Sequence, residues 1–248
     1  MNIAVLVKQV PDVVEELGVG SDHKSLDPAT VKWKLNEFDD HALEEALLLK
    51  ESGAGEVTVI ALDGAEVDKV LYTALAKGAT RAWKITGVDG SGGNAAAAHA
   101  FAEALRQKPA DLILTGVQAA DDRDGQLGPM VAAMLGMPSV EVVTGVAASG
   151  NQATLHKEFA GGVMAELEVT LPAVLGIQAA KQPPRYAPVS KVKAVQQSTK
   201  LETLAAPAAA ATAISIVEMT PPEQGKGAEM LGSVDELMKV LESKGVIR

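Results

Sequence analysis

The chain contains no cysteine in its 248 residues, and aromatic side chains make up only 3% of it. Without cysteine, disulfides, thiolate metal sites and a cysteine nucleophile are excluded. With so few aromatic rings, the interior has to be built from Ala, Val, Leu and Ile, which suits parallel strands covered by alanine-rich helices. A chain of this length can bury one large core, or a core with a small appendage.

Excess positive charge and long apolar runs are also lacking. The formal net charge is −10, and because contacts to nucleic-acid phosphates need clustered Lys and Arg, no nucleic-acid partner is expected. No apolar run is long enough to span a bilayer, so no direct membrane insertion is expected. The first residues, MNIAVLVKQ, lack the basic segment and cleavage site of a secretion signal. We therefore expect a bacterial cytoplasmic location, with the mitochondrial matrix as the alternative.

The residue patterns of common catalytic sites are absent as well. The four histidines lie far apart without metal-ligand spacing, at His23, His41, His99 and His156. Neither a G-x-S-x-G nucleophile elbow nor a Walker A sequence is present. The acidic loop Asp121–Asp124 includes Arg123 and is more typical of a solvated loop than of a magnesium site. The sequence therefore predicts neither a catalytic set nor a metal site.

Apolar strands and amphipathic helices alternate regularly through the first half of the chain. The predicted strands are Ile3–Val7, Glu56–Leu62, Arg81–Ile85 and Leu112–Leu114. The predicted helices run from Asn36 to Gly53, over Val67–Ala76, from Asn94 to near Lys108, and over Gln126–Leu135. Asn36 is a candidate N-cap, and Asp39 three positions later completes a variant capping box. This alternation predicts right-handed crossovers and a doubly wound α/β sheet.

Two loops in this half have patterns of their own. A long polar loop is expected from Pro11 to Thr30. The glycine-rich stretch Gly90–Ala95 fits the degenerate dinucleotide-binding pattern G-x-G-x-x-A. Because Thr86–Asp89 separates it from the preceding strand, and a helix capped by Asn94 explains its end, we interpret it as a flexible connection.

After Gly136 the pattern changes to alternating apolar and polar residues, which predicts antiparallel hairpins. The predicted strands are Val140–Val146, Ala153–Phe159 and Val163–Leu171, followed by Ala173–Ile177. The rest of the chain is expected to be a basic segment (Lys181–Lys200), an Ala/Pro linker (Leu204–Thr212), a strand (Ile214–Val217), an irregular tail (Met219–Gly232) and an amphipathic helix (Val234–Lys244). The tail cannot form its own core, so residues 1–180 are predicted to be the nucleotide-binding domain and residues 181–248 an arm that wraps a partner.

The stretch Asp111–Gly136 combines a buried strand, a polar loop and a helix closed by Gly136. The first turn of such a helix presents unpaired N–H groups and the positive end of its dipole, which together favour an anion. Gly125 and Gly128 would allow a phosphate to approach the backbone closely. The alternative is that Gly125 only relaxes a tight turn.

Six segments in order resemble the β subunit of electron transfer flavoprotein over essentially the whole length. They are VLVKQVPD (Val5–Asp12), NEFD with the following DHALEEALLLK (Asn36–Lys50), LAKGATRA (Leu75–Ala82), the loop Gly116–Gly128, the segment Lys157–Pro172, and PRYA (Pro184–Ala187). The chain departs from the family pattern at Glu37, Thr80, Asp124 and Ala160. The resemblance implies a mostly parallel, Rossmann-like sheet with an antiparallel hairpin extension and an extended C-terminal arm.

The resemblance also implies the ligands. It implies a heterodimer with an α subunit that holds most of a redox-active FAD, and an AMP bound structurally in this chain. The residues implied for the nucleotide are Leu6, Lys8, Asn36, Glu37, Phe38, Asp39, Asp63, Gly116, Gln118, Asp122, Asp124, Gly125, Gln126 and Leu127. The phosphate would rest chiefly on the N–H groups of Gly125, Gln126 and Leu127. Since the family usually places a small hydroxyl or thiol residue at position 124, either Asp124 turns outward or the nucleotide is altered or weaker.

A docking segment is implied at Pro188–Val192, which aligns with the family's recognition loop for dehydrogenases. Its residues are Pro188, Val189, Ser190, Lys191 and Val192. Val189 would be the aliphatic anchor, and such small contacts suit transient electron transfer. The alternative is an ordinary surface valine in a basic linker.

Three functions follow from these observations. The first is an electron carrier that takes electrons from flavin dehydrogenases, such as acyl-CoA dehydrogenases, and passes them to a quinone reductase. The second is an electron-bifurcating or nitrogen-fixation-type relative with a second FAD in place of AMP, which oxidises NADH. The third is a nucleotide-binding module without redox function, which the fold alone would permit.

Overall fold

The computed structural model describes residues 1–88, 92–206, 215–222 and 227–247. Its strands are β1 (Asn2–Val7), β2 (Gln9–Pro11), β3 (Trp33–Leu35), β4 (Glu56–Leu62), β5 (Arg81–Thr86), β6 (Leu112–Gly116), β7 (Ser139–Ser149), β8 (Gln152–Phe159), β9 (Val163–Thr170), β10 (Ala173–Ile177) and β11 (Glu202–Ala205). Its α-helices are α1 (Glu37–Glu51), α2 (Val67–Lys77), α3 (Gly93–Gln107), α4 (Leu127–Leu135), α5 (Val189–Ser198) and α6 (Val234–Ser243).

Nine of the strands form one sheet in the order β11-β5-β4-β1-β6-β10-β7-β8-β9. Every neighbouring pair from β11 to β7 is parallel, and β8 and β9 continue the sheet in antiparallel pairing. The predicted doubly wound, mostly parallel α/β sheet with an antiparallel hairpin extension is therefore confirmed.

The central strand β1 is buried on both faces. Ile3, Val5 and Val7 pack with the apolar stripe of α1 and with α2. The alternate residues of the strand, Ala4 and Leu6, pack with α3 and α4 on the other face. Because successive side chains of a strand point to opposite faces, one apolar run serves two cores. The expectation of an alanine-rich cover is confirmed in α3, where Ala97, Ala98 and Ala100 are buried.

The long loop expected from Pro11 to Thr30 is confirmed from Asp12 onwards, and it is bounded by a small antiparallel pair, because Gln9–Pro11 pairs with Trp33–Leu35. Two other predictions were wrong. Part of the expected Ala/Pro linker is strand β11, which pairs in parallel with β5 at the sheet edge. Residues 207–212 of that linker lie outside the described residues. No strand forms over Ser215–Val217 in the described structure, and Ile214 is not among the described residues.

The segment after the sheet is more regular than predicted. The docking segment was expected to be a loop, but only Pro188 precedes the helix, and Val189–Val192 form the first turn of α5. This helix packs against α2. The terminal amphipathic helix is confirmed as α6, with the side chain of Ser233 accepting a hydrogen bond from the N–H of Glu236. The division of the chain near residue 180 stays a prediction.

Candidate functional site

The strand order reverses direction at the boundary between β1 and β6. From β1 the chain moves outward through β4 to β5, and it then returns to the other side of β1 with β6. In open α/β sheets, ligands bind in the crevice that such a reversal opens at the carboxyl ends of the strands. Lys8 follows β1 and Gly116 ends β6, so both residues lie at this crevice.

Asp39 ties the start of α1 to the ends of these two strands. Its carboxylate accepts the N–H of Lys8 at 2.8 Å and the N–H of Gly116 at 2.9 Å. A Cβ on Gly116 would lie 2.4 Å from the Asp39 carboxylate and 2.7 Å from the α1 backbone, so only glycine allows this approach. Burial raises the pKa of Asp39 to about 7, although the two N–H groups and the Asn36 side chain oppose the rise. The expected capping box is therefore wrong, because Asp39 bonds across the crevice.

Asn36 has the predicted place at the start of α1 but a different bonding role. Its side chain makes no capping hydrogen bond. The amide nitrogen donates to the carbonyl of Gln118 at 2.9 Å, and the amide oxygen accepts the N–H of Ala120 at 3.3 Å. Asn36 is almost fully buried. It therefore holds the loop after β6 against the start of α1.

The loop reaches α4 through Asp124 and Gly125. Gly125 has φ +64°, and a Cβ there would lie 2.9 Å from the carbonyl of Val117. Asp124 accepts the N–H of Gln126 at 3.3 Å and the side-chain amide of Asn94 at 2.5 Å. Asp124 thus lines the pocket and does not turn away from it. The Asp124 carboxylate thus already accepts the N–H of Gln126, one of the three donors that the resemblance assigns to the phosphate.

Lys8 is the cation in the floor of the crevice. Its ammonium group contacts Asp121 at 2.9 Å and Asp122 at 2.8 Å. Burial lowers the pKa of Lys8, but the hydrogen bonds and charges of the two carboxylates outweigh it and raise the pKa. Burial opposes ionisation of Asp122, yet Lys8 holds the pKa of Asp122 below its usual range. Lys8 is thus charged, and the carboxylates of Asp121 and Asp122 in the loop after β6 partly neutralise its charge.

Two adjacent hollows with shared lining residues open at the carboxyl ends of these strands. The smaller, of about 20 Å³, lies over the loop from Gly116 to Leu127 and includes Lys8, Asp39 and Asn94. The larger has a volume of about 490 Å³, within the range of roughly 300–1,000 Å³ that is typical of small-molecule sites. Lys8, Asn94 and Leu127 line both.

Most of the predicted nucleotide-site residues line the two hollows, and the others lie beside or beneath them. The structure brings ten of them into the linings: Lys8, Asp39, Asp63, Gly116, Gln118, Asp122, Asp124, Gly125, Gln126 and Leu127. Leu6 lies in the core beneath, and Asn36 holds the loop. Glu37 and Phe38 are at the start of α1 but line neither hollow. Which of these residues touch a ligand stays a prediction.

Several lining residues were missed at the level of sequence. Trp33 enters from β3, and Ile216 and Met219 enter from the C-terminal arm. Gly93 and Asn94 end the glycine-rich stretch that was interpreted as a mere connection. Gly90 and Ser91 lie outside the described residues, but the described end of the motif faces the cavity. The G-x-G-x-x-A match was therefore a signal for the contribution of Gly93 and Asn94.

The described residues contain no cluster of His, Cys, Asp and Glu that could hold a metal ion. Within the same ranges of the chain, no helix is long and apolar enough to cross a membrane. Asp121 and Asp122 both bind the ammonium group of Lys8, and Asp124 accepts the side-chain amide of Asn94.

The predicted docking segment lies on the surface at the start of α5. Val189 is 63% exposed. The approach to it is fixed by Arg185, whose guanidinium contacts Glu44 at 2.8 Å and Glu51 at 2.5 Å. Glu44 also accepts the backbone N–H of Arg185 at 2.9 Å. These bonds hold the PRYA segment against α1.

Comparison with known proteins decides the family. Residues 25–215 match the model of the electron transfer flavoprotein domain. The β subunit of this flavoprotein from Methylophilus methylotrophus is 32% identical over 95% of this chain and 94% of its own length. The corresponding subunit from Syntrophomonas wolfei is 37% identical over 92% and 89%. The mitochondrial β subunit from Arabidopsis thaliana is 34% identical over 98% of both chains.

The chain belongs to the electron transfer flavoprotein family. The matched relatives are β subunits, and the match runs over nearly the whole of their length. The chain is therefore a β-type member of the electron transfer flavoproteins. The relatives include bacterial and mitochondrial proteins, so the predicted bacterial cytoplasmic location stays a prediction.

Proposed function

We propose that this chain is the β subunit of a heterodimer that shuttles electrons from flavin dehydrogenases, such as acyl-CoA dehydrogenases, to a membrane quinone reductase. The partner α subunit holds most of the redox-active FAD. This chain binds AMP as a structural ligand and completes the heterodimer. The membership of the chain in the electron transfer flavoprotein family supports this assignment.

The observation that carries the AMP proposal is the crevice at the reversal of strand order. Lys8 and the first N–H groups of α4 lie at its narrow end, and charged and N–H donors of this kind suit a phosphate. Leu62, Phe101 and Leu127 give the wider end apolar walls, which suit the faces of an adenine ring. The site needs no catalytic side chain to hold a monophosphate.

The second candidate is an electron-bifurcating relative with FAD in place of AMP. Two observations favour this second candidate. The larger hollow extends from α4 as far as Trp33 and Leu26, and the Asp124 carboxylate disfavours a terminal phosphate that carries two charges. A dinucleotide has only a bridging pyrophosphate and needs the additional length.

Flavin counting and NADH titration distinguish the two candidates. The chain is coexpressed with its α subunit, and the flavin absorbance of the purified heterodimer is measured per mole of protein. We expect one flavin per heterodimer and no reduction by NADH under anaerobic conditions. Two flavins, together with reduction by NADH, would replace the carrier proposal with the bifurcating one.

We also propose that Val189 anchors a dehydrogenase on α5. The valine is exposed, and Lys193 lies four residues further along the same helix, so the two share one face of it and the surface pairs an apolar group with positive charge. Val189→Ala is expected to slow electron transfer from the dehydrogenase by about tenfold, since a central apolar anchor of an interface is worth roughly 1–2 kcal/mol. The flavin content should not change.

The control is Val14→Ala, which alters a more exposed valine far from α5 in sequence. Stopped-flow reduction of the flavin by the reduced dehydrogenase provides the rate. Equal rates for the two variants would remove Val189 from the docking surface.

A further inference from the structure

The C-terminal arm forms part of the wall of the larger cavity. Ile216 and Met219 line it together with Lys24, Ser25 and Leu26 of the loop between β2 and β3. These five residues lie outside the helices and strands. The cavity therefore has an inner wall of strand ends and helix starts, and an outer wall that two irregular segments provide.

The arm is attached at this point by one backbone contact. The N–H of Met219 donates to the carbonyl of His23 at 2.6 Å. Across the described ranges of the chain, residues 215–222 make no other hydrogen bond to the body of the protein. Segments that are held by so few bonds open at a low free-energy cost. Residues 215–222 can therefore detach from the body of the protein at a low free-energy cost while the sheet remains folded.

The turn that receives the arm is rigid. The carboxylate of Asp22 accepts the N–H groups of Lys24 at 2.9 Å and Ser25 at 3.1 Å, and the N–H of His23 donates to Gly20. The carbonyl of His23 is thus held in place whether or not the arm is bound. The hydrogen bonds within the turn thus position one side of the contact independently of the arm.

The side chains of the arm are divided between the cavity and the solvent. Ile216 and Met219, three residues apart, line the cavity, and Ile216 is also 50% exposed. Val217 is 82% exposed, and Thr220 is also exposed. A methionine thioether packs well against aromatic rings, and an isoleucine adds apolar surface. This face of the arm therefore suits the flat, apolar ring of a purine base.

We propose that residues 215–219 are a lid over the nucleotide cavity, and that a bound adenine nucleotide leaves only when this lid lifts from His23. The inference rests on the proposed function, because it takes AMP to be the ligand. Since the same arm continues to α6, any partner that draws the arm away from the cavity also speeds nucleotide exchange.

The test compares two double variants of the full chain in its heterodimer. Ile216→Ala with Met219→Ala removes the lining side chains, and Val217→Ala with Thr220→Ala changes neighbours with the same spacing that face solvent. Each protein is loaded with radiolabelled AMP, and its release is followed after a chase with excess unlabelled AMP. We expect release at least about tenfold faster from the first variant, because it loses the apolar contacts of two side chains. The second variant should match the unaltered protein within about twofold.

The outcomes separate this inference from the function on which it rests. Equal release rates from both double variants, with AMP bound in each, would overturn the lid and leave the AMP site standing. No retention of AMP by the unaltered heterodimer would overturn the proposed ligand and the lid with it. Retained AMP in the unaltered protein, with fast release from the lining variant alone, supports both.

Discussion

At the scale of single residues, the carboxylate of Asp124 takes up the place at the start of α4 where a bound anion would be expected. It accepts the N–H of Gln126 and the amide of Asn94, so the loop is already satisfied without a ligand. A phosphate that binds here has to displace this carboxylate or tolerate it. We therefore expect Asp124 to weaken the affinity of the crevice for phosphate.

Replacing this residue should strengthen AMP binding. Asp124→Ser is expected to lower the Kd for AMP by about tenfold, because two like charges a few ångströms apart near a protein surface repel by roughly 1 kcal/mol or more. The Kd for adenosine, which has no phosphate, should be unchanged. Isothermal titration calorimetry provides both constants.

Asp68→Ser is the matched control, since it makes the same change in charge at an exposed residue that pairs with Lys84. It should leave both constants unchanged. Unaltered or weaker AMP binding by Asp124→Ser would show that this carboxylate does not oppose the phosphate.

Asp39 should make the stability of the protein depend on pH. Its pKa in the folded protein is raised from 3.8 to about 7 by burial, so between these values the folded state binds a proton that the unfolded state releases. The free energy of unfolding should therefore fall as pH rises from about 4 to 7, by on the order of a few kcal/mol. Urea unfolding at a series of pH values measures this slope.

Asp39→Asn supplies the comparison for the pH series. It removes the titrating group and is expected to flatten the slope in this range, although it also weakens one of the two bonds to Lys8 and Gly116. An equal slope in both proteins would assign the pH dependence to another carboxyl group.

At the scale of elements, two strands of the parallel sheet were predictable to the residue, and the central strands β1 and β6 were predicted to within one or two residues. Glu56–Leu62 and Ala173–Ile177 were predicted with the bounds of β4 and β10, because continuous apolar runs between turn residues are typical of buried parallel strands. Strand β11 was missed, since four residues next to an Ala/Pro stretch carry no periodic signal.

The bonding roles of the polar residues at the crevice were less predictable. Asn36 and Asp39 have the right types and spacing for local capping, and the fold uses both for contacts to loops more than thirty residues away. Local pattern cannot reveal a partner that only the folded sheet brings near. The contribution of Ile216 and Met219 to the cavity was hidden for the same reason.

The segment before α5 should depend on the ion pair between Arg185 and Glu44. The Glu44 side chain is only 4% exposed, so Arg185→Ala leaves a buried carboxylate without its partner. We expect the free energy of unfolding to fall by about 2–3 kcal/mol, below the full cost for a buried pair because Arg185 is partly exposed. Urea denaturation measures the change.

Lys69→Ala is the control for this substitution, since it breaks an exposed pair with Glu66. It should cost at most about 0.5 kcal/mol. Amide hydrogen exchange should also quicken around residues 181–188 in Arg185→Ala alone. A loss no larger than that of the control would mean that the pair does not hold the segment.

At the scale of the whole molecule, three features meet at one edge of the sheet. The reversal of strand order opens the crevice, the loop before α4 supplies N–H donors, and the C-terminal arm lines the larger hollow with Ile216 and Met219. The docking helix α5 lies with α2, on the face of the sheet that also carries α1. The proposed ligand site and the proposed docking surface thus involve different elements of one fold, and we expect substitutions at one to leave the other unchanged.

The central claim is that the crevice holds an adenylate while a sister subunit carries the flavin. The most direct test is to denature the purified heterodimer by heat and to identify the released nucleotides by mass spectrometry. The account predicts one AMP and one FAD for each heterodimer. Release of FAD alone, at one per heterodimer and with no second adenine nucleotide, would contradict it.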